Sequence, residues 1–108
     1  MQVTNLKSLS DSVSEKYSNF IVNEVNDHCL RLAVIEGDYR WHYHPKSDEL
    51  FIVLEGELVI EFQEEETVRL GSNDTFMIPA GKTHRTRAEQ RTVNLCIEDT
   101  KAETVFVD

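Results

Sequence analysis

The stretch "WHYHPKSDE", residues 41–49, sets two histidines one residue apart and a glutamate five residues after the second. On a helix, His42 and His44 would point to nearly opposite sides. On a strand, residues i and i+2 share a face, roughly 7 Å apart along the chain. That spacing lets two imidazoles converge on one ion. "YRWHYH" (39–44) reads as a strand, so the geometry is available. Pro45 ends the strand and "KSD" makes a bend. The inside–outside alternation restarts there, so Glu49 can face inward, and Phe51 and Val53 with it, as an apolar wall beside the histidines.

Around this stretch the chain reads as short strands between turns. "FIVNEV" and "CLRLAVIE" come before it. "ELFIVLE", "ELVIEFQ", "TVRL", "TFMIP", "THRTR", "RTVNLCIE" and "TVFVD" follow. The breaks, among them "HPKSD", "GSND" and "PAGK", are built from residues that turns select. Val, Ile, Phe, Thr and Tyr fill the strands, as a pleated half-buried surface requires. Many short strands at regular spacing predict an all-β sandwich or barrel, a closed form that hides its edges. The opening differs. Leu6, Leu9, Val13, Tyr17 and Phe20 recur at helical spacing, but the many serines limit this to a turn or two of helix. The expected organisation is an extension over 1–20 packing on a barrel over 21–108.

The chain has 108 residues and a net charge of −9. That length suits one domain with one modest core. The acidity argues against nucleic acid and anionic membrane as partners. No apolar run is long enough to span a bilayer, and the first residues do not read as a secretory signal, so the expected location is the cytoplasm. "EFQEEE" (61–66) reads as a solvated hairpin loop. Cys29 and Cys96 stand far apart in apolar runs and read as buried reduced thiols. His28, in "NDHC", reads as a surface histidine.

A second stretch strengthens the first. "DTFMIPAGKTHR" (74–85) is a strand, a Pro-Ala-Gly turn and His84, one of only four histidines in the chain. "WHYHPKSDELFIVLEG" resembles the first motif of the cupins: His42, His44, Glu49 and Gly56 match at the family's intervals. "NDTFMIPAGKTH" resembles the second, with Pro79, Gly81 and His84 in place. Three positions depart from the family pattern. Gly37 lies one residue closer to His42 than in the commonest form. Asn73 stands where a glycine usually precedes Asp74, and asparagine tolerates the left-handed turn conformation. Ala88 stands where the family often has asparagine.

The resemblance implies a cupin-type jelly-roll barrel, or double-stranded β-helix. It implies one divalent transition metal ion held by His42, His44, Glu49 and His84. Three imidazoles and a carboxylate suit iron, manganese, nickel, copper or zinc. Two coordination positions would then remain for water or a bidentate small polar molecule, which opens oxygenase- or isomerase-like chemistry. The alternatives are a non-catalytic binding or sensing module and, more remotely, a protein like the sugar-phosphate isomerases. Candidates for the substrate pocket are Arg40, Phe51, Val53 and Thr86. Arg40 enters the cavity if its strand is regular; a bulge near Gly37 would turn it to solvent. Trp41 and Tyr43 have the opposite parity and face outward. An outward tryptophan calls for a cover, the N-terminal segment or a second subunit, and a homodimer is expected.

Overall fold

The alternating pattern becomes nine strands in a computed structural model that describes residues 1–108. A single short helix, α1 (Leu6–Asp11), comes first. The strands are β1 (Tyr17–Val25), β2 (His28–Asp38), β3 (His42–Tyr43), β4 (Glu49–Glu55), β5 (Leu58–Phe62), β6 (Val68–Leu70), β7 (Thr75–Ile78), β8 (His84–Asp99) and β9 (Val105–Phe106). Every pairing is antiparallel.

The 16-residue β8 organises the fold. Its second half lies between β2 and β4, giving the order β1-β2-β8-β4-β7. Its first half lies between β3 and β5, giving β9-β3-β8-β5-β6. One strand therefore belongs to both layers, and the sheet curls around it. Register shifts between Ile35 and Gly37 on β2, and between Val53 and Glu55 on β4, absorb the bend. The sequence pattern predicts two strands, "THRTR" and "RTVNLCIE", where the molecule has one. Ala88, between them, is buried in the barrel core and pairs with Gly37, so the chain stays extended through the polar "AEQ".

Two apolar clusters lie on opposite faces of this framework. Inside the barrel, Ile35, Phe51, Val53, Leu58, Ile60, Leu70, Ile78, Ala88 and Cys96 pack together. On the outer face, Leu32, Val34, Val93 and Leu95 are covered by Leu6, Leu9 and Val13 from α1 and the residues after it. Each fully buried aliphatic side chain contributes about 1.5–3 kcal/mol of transfer free energy. Asn5 caps α1, its Oδ1 accepting from the Ser8 amide at 2.9 Å. The first strand begins at Tyr17 and runs through position 20.

Two turn positions explain their residues. Asn73 has φ +73°, in the left-handed region that asparagine tolerates. Gly56 has φ +86°, and a Cβ there would lie 2.5 Å from Thr92 Oγ1. The loop at 63–67 is fully exposed, and Cys29 and Cys96 are free, buried thiols.

Candidate metal centre

His42 on β3 and His84 at the start of β8 are direct cross-strand partners. His44 follows β3, and Glu49 opens β4 after the Pro45 turn. The second motif is docked onto the first by backbone bonds. Gly81 N donates to the His44 carbonyl at 2.8 Å, and Ala80 N donates to Asp48 Oδ1 at 2.9 Å. The four side chains are 93% buried or more, with exposures of 6% for His42, 7% for His44 and Glu49, and 1% for His84.

Each imidazole is braced through Nδ1. His42 Nδ1 donates to the Arg40 carbonyl at 2.7 Å, His44 Nδ1 to the Glu103 carbonyl at 2.9 Å, and His84 Nδ1 to the Lys82 carbonyl at 2.9 Å. A carbonyl can only accept, so each Nδ1 carries a proton and Nε2 is the nitrogen turned toward the shared position. His44 Nε2 and His84 Nε2 lie 3.4 and 3.3 Å from Glu49 Oε1. All three atoms are buried and have no hydrogen-bond partner. Buried polar atoms without partners are costly, and their clustering needs an explanation. One ligand atom from each of the four residues falls within 4.8 Å of the others. Adjacent ligands about 2.1 Å from a shared ion lie about 3.0–3.4 Å apart, close to the spacing around Glu49 Oε1. The donor set therefore fits a divalent transition metal.

Charge points the same way. Burial holds His42 below its ordinary value, in the neutral form a metal ligand needs. Burial also opposes charge on His44, but the adjacent Glu49 carboxylate outweighs it and raises His44 to about 9. Burial would raise Glu49, yet His44 and His84 beside it hold its carboxyl well below the usual range. A carboxylate and an imidazole that share one position hold a proton where an ion would sit.

His42, His44 and Glu49 border a cavity of about 340 Å³, and His84 lies behind them, outside its lining. Phe51 and Thr86 line it; Arg40 and Val53 do not. Val53 faces inward but is fully buried in the barrel core. Arg40 is exposed; its Nε is 3.1 Å from Asp108 Oδ1, and its guanidinium lies 3.8 Å from the Phe106 ring centre. The register shift near Gly37 and the irregular backbone at 39–41 exchange the parity, so Tyr39 takes the inward place, edge-on to His42 at 5.3 Å. Trp41 is half-buried, with the Arg85 guanidinium 5.1 Å from its ring centre. His28 is exposed.

Sequence reasoning did not bring Cys96, Glu98 and Arg31 to this cavity. Cys96 Sγ donates to Glu49 Oε2 at 3.2 Å and approaches Glu98 Oε1 at 3.4 Å. Arg31 Nε lies 3.9 Å from the same Glu98 oxygen. Burial, then the Glu49 and Glu98 carboxylates, push the Cys96 thiol far up, so it stays protonated. Burial and the Glu49 charge also raise Glu98. The alternation of "VNLCIE" was the available signal: Asn94, Cys96 and Glu98 share one face of β8.

Comparison with known proteins agrees with this architecture. The cupin domain model matches residues 31–98. The uncharacterized protein YdbB of Bacillus subtilis strain 168 is 56% identical over 107 residues, covering 99% of this chain and 95% of its own. A cupin-2 domain protein of Shewanella frigidimarina superposes with a TM-score of 0.84 at 31% identity, covering 90% of this chain and 94% of that one. Protein NMB1881 of Neisseria meningitidis superposes with a TM-score of 0.82 at 25% identity, covering 92% of this chain and 100% of that one. The chain belongs to the cupin family. It is a small single-domain cupin, and its buried His-His-Glu-His group is positioned to bind a metal. No helix is long and apolar enough to cross a membrane.

Proposed function

We propose that this cupin is a metalloprotein that holds one divalent transition ion through His42, His44, Glu49 and His84 and takes a small polar molecule into the adjoining cavity. The observation that carries this reading is the convergence of His44 Nε2, His84 Nε2 and Glu49 Oε1, all buried and all without partners. Iron, manganese, nickel, copper and zinc all suit the donor set. Such an ion, held by these four residues, would supply Lewis acidity for oxygenase- or isomerase-like chemistry. The chain's own residues do the rest. The carbonyls of Arg40, Glu103 and Lys82 keep the three imidazoles in one tautomer. Phe51 closes an apolar wall beside His84, with ring centres 6.5 Å apart. Tyr39 and Thr86 border the space where the small molecule sits.

A second reading, a non-catalytic binding module, is favoured by one contact set. Glu98 is engaged by Cys96 and Arg31 rather than standing free as an acid or base. In both readings the chain works as a homodimer. Ile21 and Val25 are exposed at 41% and 66% on β1, an edge strand that a second copy can cover. A monomer mass by light scattering refutes the dimer.

The deciding experiment is elemental analysis of untagged protein purified without added metal, beside His44→Ala and Glu49→Ala. About one equivalent of a transition metal in the wild type and none in the variants supports the reading. A wild type that takes up no metal even after soaking overturns it.

A further inference from the structure

The three imidazoles are not braced alike. His42 and His84 each use the carbonyl two residues earlier on their own segment, Arg40 and Lys82. His44 uses the carbonyl of Glu103, 59 residues away in sequence, and Thr104 Oγ1 lies 3.3 Å from the same nitrogen. Residues 100–108 follow β8 and turn back to pair with β3, and Ala102 and Thr104 form part of the cavity wall.

This strap is lightly held. Its strand β9 has two residues, paired to His42 and Tyr43. Val107 N donates to the Trp41 carbonyl at 3.0 Å. Phe106 and Val107 remain 40% and 46% exposed. From outside, Arg40 pins it, with Nη2 3.1 Å from Asp108 Oδ1 and the guanidinium over the Phe106 ring. Segments with little buried apolar surface and exposed backbone bonds open at low cost.

We infer that residues 100–108 are a hinged strap that positions His44 and forms a wall of the cavity, so that strap closure and metal binding strengthen each other. This rests on the metal reading above. With the strap closed, the Glu103 carbonyl holds the His44 proton on Nδ1 and aims Nε2 at the ion. With the strap open, His44 loses its brace and turns freely. Loss of such an outer partner typically weakens metal binding by about 10–100-fold. Linkage is reciprocal, so a bound ion holds the strap shut by the same factor. Arg40, which misses the cavity, becomes the clamp that sets how often the strap opens.

The test uses zinc alone as the probe. Affinity is measured by chelator competition for the wild type, Arg40→Ala, Asp108→Ala and the charge exchange Arg40→Asp with Asp108→Arg. Exchange of the Val107 amide is followed with and without zinc. Either single variant is expected to lower zinc affinity about 3–10-fold, part of the full cost of losing the brace. The charge exchange should recover most of that loss. Zinc should slow Val107 exchange in the wild type, a linked effect that a merely structural role for Arg40 would not produce. If the wild type binds zinc and both single variants bind it equally well, the strap inference is overturned and the metal reading stands. If the wild type binds no zinc, both are overturned.

Discussion

Strands β2 and β8 show two faces with opposite chemistry, built from alternate residues. On the outer face Leu32, Val34, Val93 and Leu95 are closed under α1 and packed dry. On the inner face Arg31, Ala33, Asn94, Cys96 and Glu98 border the cavity. Both faces are heavily buried, yet the cluster of polar atoms without partners, His44 Nε2, Glu49 Oε1 and His84 Nε2, lies on the inner side. The difference teaches how to read burial. Apolar groups out of water stabilise the fold by themselves. Polar groups out of water do so only when paired, and unpaired ones mark the place of a ligand. The outer face is therefore the scaffold and the inner face the site. Changes on one should leave the other's signature intact.

The largest expected effect is on the inner face. His84→Ala removes the most buried of the four candidate ligands and should weaken metal binding by more than roughly 100-fold, beyond the cost of losing an outer-sphere partner. Competition against a chelator measures it, with circular dichroism showing that the strands persist. Retained affinity would break the assignment of the inner face.

On the outer face, Leu32→Ala should cost about 2–5 kcal/mol in denaturant unfolding, since Leu32 is fully buried beneath α1. The metal content per folded chain should not change. A simultaneous loss of metal would show that the two faces are coupled.

The pH dependence sharpens the contrast. In the metal-free protein burial opposes charge on His44, and the Glu49 carboxylate beside it overcomes this and raises His44 to about 9. A raised value means that the charge stabilises the metal-free fold below about 6.5 and that this gain is lost as pH rises through about 9. A metal needs the same nitrogen deprotonated, so binding releases one proton. Affinity should rise about tenfold per pH unit from 6.5 to 9 and flatten above that range. Leu32→Ala should keep this profile. Isothermal titration in buffers of different ionisation enthalpy counts the proton.

The smallest effect belongs to the edge of the scaffold. Asn5→Ala removes the cap from α1 and should cost about 1 kcal/mol, read by the unfolding midpoint, with no change in metal affinity.

Much of this was legible in advance. The strand alternation, the turns and the spacing of His42, His44, Glu49 and His84 all appear in the linear order. The period of two puts Phe51 and Val53 on the same inward face as Glu49, and both are buried there. What was hidden depended on register and on long-range contact. Arg40 turns to solvent through the irregularity near Gly37 that the sequence offered as one alternative, but the irregular backbone at 39–41 that brings Tyr39 inward in its place was not legible there. Cys96 reaches Glu49 because β4 pairs with β8 through Phe51↔Cys96. Residues 45 positions apart or more in sequence meet only through that pairing.

The sequence alone therefore determined which side chains could bind a metal and that strands would carry them, because the periodicity and the turn chemistry are local properties of the chain. The tertiary structure decided which carbonyl braces each imidazole, and that the one for His44 comes from Glu103, 59 residues away. Those depend on the curl of the sheet around β8, and curl is set by the sum of many pairings rather than by any one stretch of residues.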